Sequence, residues 1–250
     1  MTPKDAVFNA LAIFRSPKFL FGLVFIVSAC QHGPLQTKKE IVATKGPPRV
    51  LVMPSEVTLY ELTAGGLKEP QAAWTQRGKE NVDRALESVL TENKSKFVVY
   101  KTPDPDDAGA ERQRQVIALQ DVIAQTILLA NYSGRHLGLK DELDYSVGTS
   151  AQSLNSKNRA DYALFVTMTD SFSSAGRRAV MALGALVGIS VRGANQAGLA
   201  SLVDLKTGEV IWFNVFAKGF GDLREPSGAI SAVRTLLAEF PLWTQQQDDS

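Results

Sequence analysis

The sequence predicts an α/β fold, namely a single domain with a mixed sheet flanked by helices and a C-terminal β-hairpin followed by a helix. Two observations predict it: short β-branched apolar runs alternate with segments of helical periodicity, and a glycine-containing turn joins the last two apolar runs. The composition agrees, because 250 residues with 44% hydrophobic and 21% charged side chains are typical of a globular protein. Wholesale disorder and a multi-spanning membrane protein are thereby excluded.

The first half of the predicted domain alternates strands and helices. Two apolar runs, Arg49–Met53 and Phe97–Tyr100, are followed closely by proline and predict buried strands. Apolar residues three, four and seven apart predict helices over about 71–93 and 111–131. Residues 55–70 fit either a strand extension or a loop, so that boundary stays open.

The second half of the domain contains the predicted hairpin. Ala160–Thr169 is apolar on both faces, which predicts a central strand. Leu199–Leu205 and Glu209–Phe216 predict two strands joined by Lys206-Thr207-Gly208, where glycine supplies the positive φ of a short turn. Ser227–Phe240 predicts a terminal helix that Ser227 caps.

The first thirty residues have the pattern of a secretory signal. Phe19–Val27 is an uninterrupted apolar run of nine residues, and Lys4, Arg15 and Lys18 precede it. Nine residues of helix are too short for the roughly 30 Å hydrocarbon core of a bilayer. The sequence therefore predicts a signal peptide over residues 1–29 rather than a membrane-spanning helix.

The cysteine that follows this run is the only one in the chain. Val27-Ser28-Ala29-Cys30 resembles the bacterial lipobox, in which an aliphatic residue and two small residues precede an invariant cysteine. The resemblance implies that diacylglycerol is attached to the Cys30 thiol, that the chain is cut just before Cys30, and that acyl chains anchor the protein to a membrane. The alternative is a buried cysteine or an uncleaved anchor helix. A lone cysteine also excludes an intramolecular disulfide framework and a multi-cysteine zinc site.

The rest of the chain divides by composition. Residues 30–48 contain three prolines and no sustained periodicity, which predicts a lipidated flexible tether. Residues 49–241 form the predicted periplasmic α/β domain, and residues 242–250 a frayed tail. Within the domain the polar stretch Asp141–Arg159 is predicted to be mostly loop.

An unusual apolar insert occupies residues 171–198. Between Arg178 and Arg192 lie thirteen uncharged residues, in which Gly184 and Gly188 are four positions apart. Such spacing lets another helix or backbone segment approach closely, so these glycines are candidate interface residues. A segment packed on the domain's own sheet, a self-association surface and a membrane contact all stay open.

Motifs for catalysis and for metal or cofactor binding are missing from the sequence. The two histidines, His32 and His136, lack the spacing of metal ligands, and no nucleophile elbow or phosphate-binding loop is present. The sequence therefore predicts no catalytic, cofactor-binding or metal-ligating residue, and no enzyme. A formal net charge of +1 argues against a nucleic-acid partner.

The hairpin supports a wider resemblance. Asp204-Leu205-Lys206-Thr207-Gly208-Glu209-Val210-Ile211-Trp212 followed by a helix, together with the lipobox and the α/β body, resembles the curli-secretion (CsgG-like) lipoproteins and related periplasmic accessory lipoproteins built on an anticodon-binding-like α/β domain. The resemblance implies outer-membrane lipoproteins that oligomerise and serve secretion, envelope assembly or cell-wall synthase activation. The sequence departs from the family in lacking the long amphipathic strand pairs of a secretion pore.

The leading hypothesis is a membrane-anchored periplasmic lipoprotein that acts as a non-enzymatic scaffold or accessory in envelope assembly or export, through self-association. Its expected partners are the membrane, through the Cys30 lipid, further copies of itself and an unidentified envelope protein. Gln31 replaces the aspartate that signals inner-membrane retention in enterobacteria, so the outer membrane is favoured and inner-membrane retention stays open.

Two alternative functions stay open. The first is a component of an oligomeric secretion channel. The second is a cell-wall sugar-binding or hydrolytic protein, for which the acidic pair Asp161 and Asp170 and the aromatic side chains Tyr60 and Trp212 are candidates.

Metabolic labelling tests the lipid anchor directly. Radiolabelled palmitate should appear on the protein in a bacterial host and vanish in Cys30→Ala, because the thiol is the only predicted attachment point. Unchanged labelling of Cys30→Ala would contradict the lipobox.

Overall fold

The fold is built on one mixed sheet, seen in a computed structural model that describes residues 35–36, 48–132, 143–155 and 159–244. Within these residues the sheet has eight strands, in the order β1-β8-β7-β6-β2-β5, with β3 on the β2 side of β6 and β4 beyond it. The strands are β1 (Leu35–Gln36), β2 (Arg49–Val52), β3 (Glu56–Leu62), β4 (Lys68–Pro70), β5 (Lys96–Val99), β6 (Tyr162–Ser173), β7 (Gln196–Asp204) and β8 (Val210–Lys218).

The central strand is β6, as its two apolar faces predict. β2 and β3 run parallel to it along one edge, and β7 runs antiparallel along the other. Leu164, Val166 and Met168 point to one face and Ala163 to the other, and all four side chains are buried. Because both edges and both faces are covered, β6 is the most constrained element of the sheet.

Helices cover the two faces of the sheet, which gives three layers. They are α1 (Ala72–Glu92), α2 (Ala110–Tyr132), α3 (Gln152–Asn155), α4 (Ala175–Leu186), α5 (Pro226–Leu236) and α6 (Pro241–Thr244), with a 3₁₀ turn at Thr149–Ala151. α1 and α5 pack over the face that carries Val50, Leu164 and Trp212. α2 and α3 cover the face that carries Leu51 and Phe213.

An interruption separates β2 from β3 and resolves the boundary that the sequence left open. Val52 pairs with Leu164 and Glu56 pairs with Thr167, so four steps along β2–β3 oppose three steps along β6. Pro54 lies in the extra stretch and has no amide hydrogen to donate to the ladder. The Asp83 carboxylate of α1 holds the bulge, because Oδ1 accepts hydrogen bonds from the Ser55 backbone N–H at 3.2 Å and from Ser55 Oγ at 2.6 Å.

The predicted C-terminal hairpin and helix are confirmed, but the cap is not. β7 and β8 pair through the turn that contains Gly208, whose φ is +79°. The last long helix begins at Pro226 with Glu225 as its N-cap residue, so the prediction that Ser227 caps it is wrong. Proline suits the first helical position because its φ is already helical and no intrahelical partner is needed there.

Three segment boundaries also differ from expectation. Leu35–Gln36, within the predicted tether, pairs with β8, and Leu35 packs against the core beneath α2. The first residues of the predicted tail belong to α6, where Leu242 is buried. The insert is shorter than 171–198, because β6 continues to Ser173 and β7 begins at Gln196.

Replacing a buried phenylalanine with alanine should destabilise the domain more than the same replacement of an exposed phenylalanine. Phe240 is fully buried, with its ring edge-on to Trp212 at a centroid distance of 5.3 Å. We expect Phe240→Ala to lower the free energy of unfolding by about 3–5 kcal/mol. The matched control is Phe220→Ala, since Phe220 is 77% exposed and its truncation should change stability by less than about 0.5 kcal/mol. Urea unfolding followed by circular dichroism measures both, and equal effects would contradict this packing.

Candidate functional site

The most exposed apolar feature of the described residues is the excursion between β6 and β7, residues 174–195, which we call the arm. It begins with α4, whose N-cap residue Ser174 accepts a hydrogen bond at Oγ from the backbone N–H of Arg177. No residue of α4 is buried. At its end, Leu183 is 65%, Leu186 83%, Val187 71% and Ile189 59% exposed.

An arginine fixes the base of the arm. The Arg177 guanidinium donates to the backbone carbonyl of Arg192 through Nη2 at 2.7 Å and through Nε at 3.1 Å, which joins the two ends of the arm. It also donates from Nη1 to the Ala64 carbonyl, in the turn between β3 and β4, at 3.4 Å. The Arg178 guanidinium donates to the Ser173 carbonyl at 2.7 Å. The arm is therefore held at its base, near Arg177 and Arg192, and extends from there to an exposed tip, residues 183–190.

The two candidate glycines lie where the arm folds back on itself. Ile189 N–H donates to the Gly184 carbonyl at 2.8 Å, and a Cβ at Gly184 would come within 2.9 Å of the Ile189 oxygen. Gly188 has a φ of +76°, which ends the helix at little cost only for glycine. The two glycines thus allow the chain that follows α4 to fold back against the helix. Their role in an intermolecular interface stays a prediction.

The free surface of α4 is apolar on every side that does not meet the returning chain. Beyond Arg177 and Arg178 its residues are only alanine, glycine, valine, leucine and methionine. Helices on protein surfaces ordinarily carry a polar face toward water, and an all-apolar helix is normally covered. The arm therefore has the character of a contact surface.

Charge is distributed unevenly along the arm. Arg177, Arg178 and Arg192 lie near its base, and its sequence contains no aspartate or glutamate. The tip carries only Ser190 as a polar side chain between Arg178 and Arg192. An apolar tip with a positively charged base is complementary to an apolar surface rimmed by negative charge.

A cavity of about 210 Å³ lies between α2 and the sheet, beside the bulge that separates β2 from β3. Buried side chains line its interior, among them Met53, Ala124, Leu199, Ser201 and Gln120. Gln120 is 1% exposed and donates from Nε2 to Ser201 Oγ at 2.7 Å, but its Oε1 accepts no hydrogen bond from the described part of the chain. A buried acceptor without a donor is costly, so this atom marks a place for an incoming donor.

The rim of the cavity carries two acidic residues, Glu56 and Asp121, and two basic residues, Lys79 and Arg114. Glu56 and Asp121 are exposed rim residues, and neither forms an ion pair within the described residues. The basic rim residues are already paired, since Lys79 Nζ lies 3.0 Å from Asp83 Oδ2 and Arg114 Nη2 lies 2.7 Å from Glu111 Oε2.

The Glu56 carboxyl shows the effect of this arrangement. Partial burial raises the pKa of Glu56 above its usual value, the Asp121 carboxylate raises this pKa further, and the Lys79 ammonium opposes the rise. The ionised form of Glu56 is therefore disfavoured at this rim, and a cation placed there would weaken its repulsion by the Asp121 carboxylate.

The sequence did not predict this cavity. Its one local signal is Pro54, which interrupts an otherwise continuous strand, and bulges of this kind often lie next to functional sites. The bulge and α2 are more than fifty residues apart in sequence, so no local pattern could reveal that they lie next to each other.

The residues considered for a sugar-binding or hydrolytic site lie apart. Asp170 lies in β6 and Asp161 directly precedes that strand, so the two are nine positions apart along an extended chain, about 30 Å. Asp161 accepts the Arg49 backbone N–H at 2.8 Å. Burial raises the pKa of Asp170, whose Oδ2 accepts from Leu223 N–H and from Gln196 Nε2, each at 3.0 Å. Both carboxylates have structural partners.

The aromatic candidates do not share a groove either. Trp212 is fully buried in the core, and Tyr60 is half-buried with the Lys68 ammonium 5.5 Å from its ring centre. Trp74 packs edge-on against Phe172 at 5.6 Å, and the Arg224 guanidinium lies over the Phe172 ring at 3.6 Å. These rings stabilise the fold and present no continuous stacking surface.

Several predicted features lie outside the described residues, namely Cys30, the signal peptide, most of the tether, His32 and His136. In the described ranges, no group of three or more histidine, cysteine, aspartate or glutamate side chains could hold a metal ion. None of the helices described is both long enough and apolar enough to cross a membrane.

Comparison with known proteins gives only distant likenesses. No protein-family model and no curated protein sequence matches this chain. Among solved structures, the chain is similar to lipoprotein GNA1162 from Neisseria meningitidis, with 15% identity over 77% of this chain and 98% of that one, at a TM-score of 0.31.

Two further solved structures show the same level of likeness. The PelC dodecamer from Paraburkholderia phytofirmans has 13% identity over 83% of this chain and 97% of that one, with a TM-score of 0.33. The LpoB C-terminal domain from Salmonella enterica has 15% identity over 69% of this chain and 82% of that one, with a TM-score of 0.26. Structural neighbours thus include a bacterial lipoprotein, but at these scores they carry no argument about this chain's function.

Adding a side-chain methyl group at Gly184 should push the tip of the arm away from α4. In Gly184→Ala the new methyl group collides with the Ile189 carbonyl, a backbone atom that cannot rotate away. We expect hydrogen exchange of the Ile189 amide to accelerate about tenfold, which corresponds to about 1.4 kcal/mol. The control is Gly219→Ala, because no atom of the described residues lies within 4 Å of a Cβ at Gly219. Unchanged protection of Ile189 in Gly184→Ala would show that the tip does not fold back in this way.

Proposed function

We propose that this chain is a lipid-anchored envelope protein that acts as a non-enzymatic scaffold or accessory, and that it self-associates through the arm. The observation that carries the proposal is the arm itself, a helix with no buried residue and four large apolar side chains exposed at its end. The lipobox at Cys30 supports the anchor and a location facing the periplasm.

The energetics support a contact role. Burying one large aliphatic side chain stabilises a complex by about 1.5–3 kcal/mol, so covering Leu183, Leu186, Val187 and Ile189 would contribute on the order of 10 kcal/mol before the cost of association. The alanines and glycines between them leave the backbone of α4 accessible, which suits close packing against another element.

Self-association suits an anchored protein. A lipid at Cys30 would confine all copies to one membrane surface and at similar heights above it. Confinement raises the effective concentration of each copy for its neighbours, so a contact of modest area can be sufficient. The arm is present in every copy, and it therefore provides the same contact throughout an assembly.

Photo-crosslinking in intact cells tests the proposal on the full chain. A photoreactive amino acid replaces Leu183, and two versions of the protein with different epitope tags are produced together. We expect an adduct that contains both tags. The matched control carries the photoreactive residue at Phe220, which is also exposed but follows the end of β8, beside the base of the arm rather than its tip, and should give at least tenfold less adduct.

Other outcomes at Leu183 would contradict self-association. An adduct with a different envelope protein would retain the scaffold role but replace the partner. Adducts with lipid alone would assign the arm to the membrane instead. Equal yields of the two-tag adduct at Leu183 and at Phe220 would show that proximity on the membrane, rather than the arm, produces the crosslink.

A further inference from the structure

We propose that the cavity beneath α2 receives the arm of a neighbouring copy, so that copies associate head to tail. The inference deepens the proposed function and rests on it, since it names the surface on the second copy that the arm contacts. Four properties of the arm and the cavity support this pairing.

The first property is charge. The arm carries three arginines near its base and no acidic residue. The cavity rim carries Glu56 and Asp121, whereas its basic residues Lys79 and Arg114 are already paired with Asp83 and Glu111. The two surfaces are thus of opposite sign. The exposed Arg192, two positions beyond Ser190, would come close to the rim when the tip enters and would offset the repulsion between the rim carboxylates.

The second property is size. A cavity of about 210 Å³ is somewhat larger than the roughly 150 Å³ of an apolar protein cavity that holds benzene. One or two aliphatic side chains from the tip of the arm would fill it. Leu186 and Ile189 are of that size, and they are among the most exposed apolar residues of the described chain.

The third property is the unpaired oxygen in the cavity. Gln120 Oε1 is buried, and none of the residues that the structure describes donates a hydrogen bond to it. Ser190 follows Ile189 directly and is the one polar side chain at the tip, so its hydroxyl brings a donor when the tip enters. An apolar occupant without a donor would leave the Gln120 oxygen unsatisfied.

The fourth property is position. Thr167 lines the cavity, and Ser173 ends the same strand six residues further on, about 20 Å away. Two different patches of one molecule that fit each other generate a heterologous contact, which repeats from copy to copy and closes into a ring or continues as a filament.

The exposed outer surface of α2 extends the proposed docking surface. Leu119 and Val122 are exposed on either side of the sequence positions that line the cavity, Gln120 and Asp121. They provide apolar area next to the rim against which α4 of the neighbouring copy can pack.

Complementation between two altered full-length chains tests the inference. The pocket variant, Glu56→Lys with Asp121→Lys, reverses the rim charge but keeps its arm. The arm variant, Leu186→Asp with Val187→Asp, loses the apolar tip but keeps its cavity. All four residues are exposed, so both variants should fold. A photoreactive residue at Ile189 of the pocket variant reports what the arm touches.

We expect the pocket variant alone to form at least tenfold less self-adduct than the unaltered chain carrying the same photoreactive residue. When the two variants are produced together with different tags, an adduct should form again, and it should contain one copy of the pocket variant and one copy of the arm variant. Its crosslinked peptide should map to α2 or to the bulge of the arm variant. A matched control, Glu87→Lys with Asp106→Lys, reverses two exposed carboxylates elsewhere and should self-associate like the unaltered chain.

The two proposals fail in different ways. If the arms contacted each other, the pocket variant would self-associate normally and mixing would add nothing, which overturns the inference but leaves the proposed function standing. If the unaltered chain formed no self-adduct, both would be overturned. An adduct that maps to a surface other than the cavity would overturn the inference alone.

Discussion

The hydrogen bonding of β6 on both edges is the constraint on which the rest of the structure depends. Its twelve residues pair with β2 and β3 on one side and with β7 on the other. The bulge at Met53–Ser55 is defined relative to β6, and the cavity opens beside it. The arm leaves from the end of the same strand. A central strand that cannot shift its register therefore holds the two surfaces at a constant separation.

Much of this architecture could be predicted from the sequence because it depends on local patterns. The apolar alternation of Ala160–Thr169 predicted the central strand, and the Gly208 turn predicted the hairpin. Helix ends were less predictable: Ser227 has the chemistry of a cap, but Pro226 has a stronger preference for the first helical position. The cavity was not predictable, because it depends on how α2 lies over a bulge distant in sequence.

The insert shows why one pattern can support several interpretations. A Gly-x-x-x-Gly spacing permits close approach of any backbone, and in this fold the nearest backbone is the chain's own return from α4. That internal packing directs the large residues Leu183 and Leu186 outward. The packing of the glycines and the exposure of the apolar face thus belong to one hairpin-like arrangement. Its small residues pack inside, and its large residues remain available for contact.

The oligomeric state of the full-length protein tests the central claim most directly. Native mass spectrometry of the lipidated chain, released from detergent micelles, should show defined multiples of the protomer mass. The same chain with Leu183→Glu should appear as the protomer, because one charge within the exposed apolar residues near the end of α4 opposes burial there. A strictly monomeric unaltered chain, or an oligomer that Leu183→Glu leaves unchanged, would contradict a contact made by the arm.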